Sequence, residues 1–217
     1  MILTDKNKVK EILNFNDECT YMIMAKARKK DNEGLTNSQE IVFREIVNSE
    51  KQFDRKYDRL IKIINNDLHN FKLYITYNPR SILKAYSLLK QRFCLWDDEL
   101  IKNAKSILLH SNTINRVGRI HNEWISCLQK PASCYKKNYF MLDVDNKLSS
   151  VDEDKILEEI YSTCDIDKDT IKVFETQNGH HILFPPCDTR KLMESLGKYL
   201  DVELKRDALV CIGYYKK

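Results

Sequence analysis

The chain has 217 residues, of which 42% are hydrophobic and 31% are charged, a composition typical of a folded globular protein rather than a disordered one. Its net charge of +4 is mildly basic, so it allows a polyanionic partner without requiring one. The sequence has no run of about eighteen apolar residues, and its first residues lack the apolar core of a secretion signal. We therefore expect a cytoplasmic protein with no membrane partner.

The first 70 residues are predicted to be mainly helical, with one short strand. Apolar side chains recur at helical spacing in the first twenty residues, and the apolar run Tyr21–Ala25 has the length of a buried strand. Ser38 has the side chain of a helix N-cap. We expect a long amphipathic helix after it, which carries the apolar residues from Ile41 to Leu68.

Residues 71–77 alternate between apolar and polar side chains, which predicts a half-buried strand. A helix is expected from Pro79 to about Phe93, and residues 97–130 are also predicted to be helical. Beyond a break at Pro131 the pattern predicts strands 138–145, 170–176, 181–184, 201–205 and 208–215, and helices 151–163 and 188–200. This order predicts an α+β fold in which a mostly antiparallel sheet is covered by helices.

We expect one domain over residues 1–217. Within it, residues 71–93 and 138–217 would form the sheet core, and residues 1–70 and 94–135 would be a mainly helical elaboration.

The seven cysteines are scattered and contain no C-x-x-C pair, so we expect free thiols in a reducing compartment. A zinc site is a weaker alternative, because the spacings of the available ligands fit no standard motif. Those ligands would be His110, His121, Cys127 and Cys134.

Two aspartates, Asp143 and Asp145, end an apolar segment of strand length. Residues two apart on a strand point to the same face, so the two carboxylates are expected to lie side by side. Such a pair repels itself and favours a bound cation, most often Mg²⁺ or Mn²⁺ when the ligands are carboxylate oxygens. The alternative is an Asp-rich turn, since Asn146 follows directly.

A hairpin is predicted over residues 172–186, with Asn178-Gly179 at its turn because both residues tolerate positive φ. The adjacent residues His180 and His181 would point to opposite faces of the return strand, so only one of them can face a given site. The alternation alone does not decide which one.

These segments resemble the archaeo-eukaryotic primase superfamily, which includes primase–polymerases and primase small subunits. Residues 141–145 match its strand ending in hydrophobic-Asp-hydrophobic-Asp, and residues 179–181 match its element of small residue, any residue and His. Thr176 and Asn178 fit the longer form of the second element. Asp207, in the segment 205–210, is the natural match for the third, acidic element.

The resemblance covers roughly residues 70–215 and is strongest after residue 138. The turn Asn78-Pro79-Arg80 also resembles a feature of some primase–polymerases. The superfamily implies an RRM-like, mostly antiparallel sheet and a template-dependent nucleotidyltransferase, either a DNA primase or a primase–polymerase. Its substrates would be nucleoside triphosphates and a single-stranded nucleic-acid template, with a separate helicase or replication protein as a further partner.

The same resemblance implies a role for each site residue. Asp143, Asp145 and Asp207 would bind two Mg²⁺ or Mn²⁺ ions that stabilise the attacking and leaving oxygens at the α-phosphorus. His181 would donate a hydrogen bond to the incoming triphosphate, near Thr176 and Asn178.

Basic side chains near these elements are candidates for phosphate contacts, because a guanidinium or ammonium group pairs with phosphate oxygens. They are Arg80, Lys205 and Arg206. For the third acid, Glu203 and Asp201 remain alternatives to Asp207.

Two other functions remain open. A replication-initiator nickase is less favoured, because its metal-binding histidines would have to be separated by one residue, whereas His180 and His181 are adjacent. A non-catalytic nucleic-acid-binding or regulatory module with the same fold is the second alternative.

Overall fold

The computed structural model describes residues 2–36, 39–102, 107–145, 150–196 and 202–216. Within this part of the chain it contains seven α-helices and ten strands, and the pairing between strands is antiparallel throughout. The fold is therefore α+β, as the order of the predicted elements indicates.

The strands are β1 (Ile2–Leu3), β2 (Cys19–Ala27), β3 (Ile41–Val47), β4 (Phe71–Thr76), β5 (Arg80–Ser81), β6 (Phe140–Val144), β7 (Lys172–Glu175), β8 (His180–Phe184), β9 (Val202–Lys205) and β10 (Leu209–Tyr215). The helices are α1 (Lys6–Lys10), α2 (Glu50–Asn66), α3 (Ile82–Lys102), α4 (Ile107–Val117), α5 (Ile120–Gln129), α6 (Ser150–Cys164) and α7 (Arg190–Leu196).

The larger sheet has the order β1-β10-β4-β2-β3, and β5 pairs with β2 outside this path. Strand β2 is buried along almost its whole length, as expected for a central strand rich in apolar residues. Helix α2 begins after the N-cap Ser49, whose side chain accepts a hydrogen bond from the backbone N–H of Gln52. Its buried face, from Phe53 to Ile64, packs into the core of this sheet.

The prediction that residues 1–70 are mainly helical is wrong. Ile41–Val47 forms strand β3, which pairs with β2 from Tyr21 opposite Val47 to Ala27 opposite Ile41. Five of its seven residues are β-branched or aromatic, and this composition favours a strand once a partner is available. Helix α1 has only five residues, and the predicted N-cap Ser38 lies outside the described residues.

The smaller sheet has the order β7-β8-β6-β9, and its chain order is β6-α6-β7-β8-α7-β9. One face packs against α6 and α7 through the alternate residues Phe140, Leu142 and Val144 of β6. The intervening residues Met141 and Asp143 point to the opposite face.

The predicted single sheet is in fact two sheets. Strands β4 and β10, which we expected beside β6, belong to the larger sheet. The two sheets nevertheless share a core, in which Ile75 and Val210 of the larger sheet belong to one cluster with Met141 and Leu183 of the smaller one. A cleft between the sheets therefore has an apolar base.

Cys164 at the end of α6 and Cys187 before α7 form a disulfide. The expectation that the cysteines are free thiols is therefore wrong for this pair, which the folding of α6 beside α7 brings together. The other five cysteines are free. Among the described helices, none is both long enough and apolar enough to cross a membrane.

Candidate active site between the two sheets

A cavity of about 310 Å³ opens between the two sheets. The smaller sheet contributes acidic side chains to its lining, and the larger sheet and the loop after β2 contribute basic ones. The acidic residues are Asp143, Asp145 and Glu203, and the basic residues of the opposite wall are Arg28, Lys30 and Lys72. His181, Lys205, Tyr74 and the hairpin residues Thr176, Gln177 and Asn178 complete the polar lining.

Asp143 is at the centre of this arrangement because β6 is an inner strand of the smaller sheet. It lies opposite His181 of β8 on one side and opposite Glu203 of β9 on the other. Directly opposed residues of antiparallel strands point to the same face, so all three side chains reach the cavity. The register between the strands thus brings together three residues that are far apart in the sequence.

Both carboxylate oxygens of Asp143 have partners. The Nε2 atom of His181 lies 3.2 Å from Oδ1, and the ammonium of Lys205 donates a hydrogen bond to Oδ2. The same ammonium lies 3.3 Å from Oε2 of Glu203. Lys205 therefore bridges two of the three carboxylates.

The orientation of His181 follows from a backbone contact. Its Nδ1 atom accepts a hydrogen bond from the N–H of Cys211 at 3.0 Å. In the neutral imidazole the proton is consequently on Nε2, the atom that lies 3.2 Å from Oδ1 of Asp143. The imidazole is also buried. The hydrogen bond from Cys211 on β10 of the larger sheet therefore fixes the orientation of a ring that belongs to the smaller sheet.

The charge of Asp143 is stabilised strongly. Burial, the largest single influence, raises the pKa of its carboxyl group, but the hydrogen bonds from His181 and Lys205 outweigh it and lower the pKa to about 2. Burial lowers the pKa of Lys205, whereas its contacts with Asp143 and Glu203 raise it, and the net shift is upward. The two groups therefore form a charged pair at neutral pH.

The hairpin between β7 and β8 approaches the end of β6 very closely. A Cβ atom on Gly179 would lie 1.8 Å from the backbone oxygen of Val144, so only glycine fits there. Positive φ is not the reason, because within the described residues it occurs only at Gly34 and Asp165. The close approach brings Thr176 and Asn178 into the cavity next to Asp145, which is exposed.

The structure does not bring Asp207 into the cavity. Its Oδ2 atom forms an ion pair with Nη1 of Arg80 at 2.5 Å, in which the side chains are only 5% and 2% exposed. Asn78 also donates a hydrogen bond to Oδ1 of Asp207, at 3.3 Å. The expected roles of Asp207 as metal ligand and Arg80 as phosphate contact do not agree with this geometry, because each charge neutralises the other.

The physical reason is the length of β9. The strand ends at Lys205, so Asp207 lies in the turn before β10 and not on the strand face that carries Glu203. Glu203 therefore takes the position expected for the third acid, and the other alternative, Asp201, lies outside the described residues. Arg206 also fails to line the cavity. It is exposed, with its guanidinium carbon 6.0 Å from the ring centroid of Phe140.

The basic residues on the wall opposite the acidic side chains were not predicted from the sequence. Lys72 and Tyr74 alternate on β4, where they looked like the solvated face of a half-buried strand. Asp31 contacts both Lys72, at 2.9 Å, and Arg28, at 3.3 Å. Lys30, by contrast, is exposed at the cavity. No local signal could link these residues to Asp143, because only the packing of the sheets does so.

A second cavity of about 190 Å³ adjoins the first and shares Lys30, Lys72 and Gln177 with it. The second cavity is also lined by residues that do not line the first, among them Asn70, Tyr214, Tyr215 and Lys216. The second cavity is therefore a neighbour of the first, and the carboxylate of Asp31 lies among its aromatic and basic groups.

The donor chemistry of Asp143, Asp145 and Glu203 suits Mg²⁺ or Mn²⁺, which prefer carboxylate oxygens. In the part of the chain that the structure describes, however, no three His, Cys, Asp or Glu side chains converge closely enough to hold a metal ion. The alternative zinc site gains no support from that finding, although the side chain of His110 lies outside the described part. A divalent ion fits the carboxylates only if Lys205 leaves Asp143.

No family model matches the chain, and no curated protein or solved structure is significantly similar to it.

Proposed function

We propose that this protein is a metal-dependent, template-dependent nucleotidyltransferase of the primase or primase–polymerase type. The observation that carries the proposal is the placement of acidic and basic side chains around one cavity: Asp143, Asp145 and Glu203 line it together with Lys30 and Arg28 from the loop after β2 and Lys72 from β4. Phosphoryl transfer uses acidic side chains to bind divalent ions and basic side chains to neutralise the charge of the phosphate oxygens.

The topology of the smaller sheet supports this proposal. Its β-α-β-β-α-β order, with β6 and β8 in the centre, is that of ferredoxin-like and RRM-like sheets. The acid pair at the end of β6 and the histidine of β8 are then on the two central strands, as the resemblance to the primase superfamily implies.

Seven residues of the cavity have a role in this proposal. Asp143, Asp145 and Glu203 would hold Mg²⁺ or Mn²⁺, which supplies charge neutralisation at the reacting phosphate when it is bound. Lys30 attracts the triphosphate by its charge, and the Nε2–H of His181 can donate to a phosphate oxygen in place of Oδ1 of Asp143. Thr176 and Asn178 supply neutral hydrogen-bonding groups at the edge of the cavity.

The second cavity is where we place a single-stranded template or product. Lys30 and Lys216 attract the phosphate backbone, and Tyr214 offers a ring for stacking against a base. This combination is common where proteins bind single strands without sequence preference. A helicase or another replication protein would supply the template.

The test is synthesis on single-stranded templates, with labelled ribo- or deoxyribonucleoside triphosphates and either Mg²⁺ or Mn²⁺. We expect elongated or newly primed oligonucleotides from the wild type, and none from the double variant Asp143→Ala/Asp145→Ala. The matched control is Asp97→Ala/Asp98→Ala, which removes two exposed aspartates of α3 outside both cavities. Synthesis that persists in the first double variant would exclude these acids from catalysis.

The second candidate is a non-catalytic module that binds nucleotides or nucleic acid. The position of Lys205 favours it, because an ammonium already balances the charge of Asp143 and Glu203. Metal-independent binding of a labelled single strand, without any synthesis, would support this function. The nickase gains no support, because His180 points away from His181 towards Glu153, with Nε2 3.7 Å from Oε2.

A further inference from the structure

Lys205 occupies the place where the proposed function needs a metal ion. Its ammonium donates to Oδ2 of Asp143 and lies 3.3 Å from Oε2 of Glu203, while His181 occupies the other oxygen of Asp143. A divalent ion bound to the same oxygens would be next to this ammonium, and like charges so close repel strongly in a partly buried site. The ion and the ammonium therefore exclude each other.

The side chain of Lys205 is partly exposed at the end of a strand. It is 30% exposed, and it starts at the last residue of β9, where the sheet gives way to a turn. Lysine has a flexible four-carbon stem and a point charge without directional geometry, so its ammonium can pass from a carboxylate to a phosphate. The cavity that it lines is large enough to place an anionic group within its reach.

We propose that Lys205 is an exchangeable counter-ion: it balances Asp143 and Glu203 until a divalent ion arrives together with a triphosphate, and then it transfers its contact to the phosphate. This inference rests on the proposed function. Its consequence is that the ion alone binds weakly, because it must displace Lys205 without compensation. The ion and the triphosphate bind cooperatively, since the phosphate provides a new partner for the ammonium.

The proposal predicts opposite effects of one substitution on two ligands. Lys205→Met keeps the aliphatic stem and removes the charge. We expect it to bind Mn²⁺ alone about tenfold more tightly than the wild type, because the competing charge is absent. At saturating Mn²⁺ we expect it to bind a fluorescently labelled adenosine triphosphate about tenfold more weakly, because the phosphate loses a contact.

Both affinities are measurable without turnover, Mn²⁺ by the electron paramagnetic resonance signal of the free ion and the triphosphate by fluorescence anisotropy. Lys205→Arg, which keeps the charge, should shift both affinities less than the neutral variants do. The matched control is Lys172→Met. Lys172 is on β7 of the same sheet, its side chain is about as exposed as that of Lys205, and it forms an ion pair with Glu11. Loss of this ion pair should change neither affinity. Lys205→Gln is a second neutral variant in case the methionine variant does not fold.

Each outcome has a definite meaning. Opposite shifts for the two ligands support the exchange. An unchanged affinity for Mn²⁺ in both neutral variants overturns the exchange but leaves the proposed function intact. Shifts in the same direction also overturn it, because a structural role of Lys205 would weaken the binding of both ligands. Tighter binding of Mn²⁺ with an unchanged affinity for the triphosphate overturns it as well, because simple repulsion between Lys205 and the ion would affect only the ion. No binding of Mn²⁺ by the wild type or by the neutral variants overturns both the exchange and the proposed function.

Discussion

Arg80 and Asp207 form a buried ion pair that joins β5, just before α3, to the turn between β9 and β10. Their side chains are 2% and 5% exposed, and Asn78 adds a hydrogen bond to the carboxylate. Asn78 also accepts hydrogen bonds from the backbone N–H groups of Asn138 and Tyr139, just before β6. This network therefore connects the two sheets behind the cavity.

Asp207→Asn should destabilise the fold by about 3–5 kcal/mol, because it leaves the guanidinium of Arg80 buried without a counter-charge. The double variant Arg80→Met/Asp207→Leu should lose less, since it leaves no buried charge. Urea unfolding followed by circular dichroism measures both. Under native conditions Asp207→Asn should still bind Mn²⁺ like the wild type, and a loss of Mn²⁺ binding in the folded variant would restore Asp207 as a metal ligand.

The lowered pKa of Asp143 predicts a dependence of stability on pH. The pKa of this carboxyl group is about 2 in the folded protein, below the ordinary value of 3.8. The group therefore contributes stability that is present above about pH 4 and is lost as the pH falls to 2. In Asp143→Asn the free energy of unfolding should fall by about 2 kcal/mol at pH 6, and the difference from the wild type should shrink towards pH 2. A difference that is independent of pH would contradict the charged pair with Lys205.

Gly179→Ala should displace the hairpin from the end of β6. Its Cβ would lie 1.8 Å from the backbone oxygen of Val144, so strand or turn must shift, at a cost of about 1–3 kcal/mol in stability. We also expect at least about tenfold weaker binding of the triphosphate, because Thr176 and Asn178 move with the turn. The control is Gly118→Ala, whose Cβ would have no neighbour closer than 3.6 Å. Equal stability and equal triphosphate affinity of the two variants would show that the close approach of Gly179 to Val144 affects neither property.

Lys30→Gln should weaken the binding of single-stranded DNA and make its dependence on salt shallower. Each lost phosphate contact reduces the slope of log affinity against log salt concentration by about 0.7–1. Lys29→Gln is the matched control, because Lys29 is the preceding residue, is also exposed and lines neither cavity. Fluorescence anisotropy of a labelled oligonucleotide at several salt concentrations measures the slopes. Identical slopes for the two variants would place the strand elsewhere.

Much of the fold after residue 138 was predictable, because its strands are short, apolar and separated by clear breaks. The segment Ile41–Val47 was not, since its apolar residues agree with helical spacing as well as with a strand. Pairing with β2 decides its structure. The division of the predicted sheet into two sheets was equally unpredictable, because the strands that pair with β4 and β10 come from distant parts of the chain.

Asp143 and Asp145 could be assigned to one face, and His180 and His181 to opposite faces, from their spacing alone, because alternation is a property of the local backbone. The pairing between strands establishes which histidine meets Asp143, and that Glu203 rather than Asp207 lies opposite it. Glu203 and Asp207 are four residues apart and would share a face if β9 continued. Which of the two acids lies opposite Asp143 depends on where β9 ends and on which side chain pairs with each carboxylate. Contacts between residues that are distant in the sequence determine both.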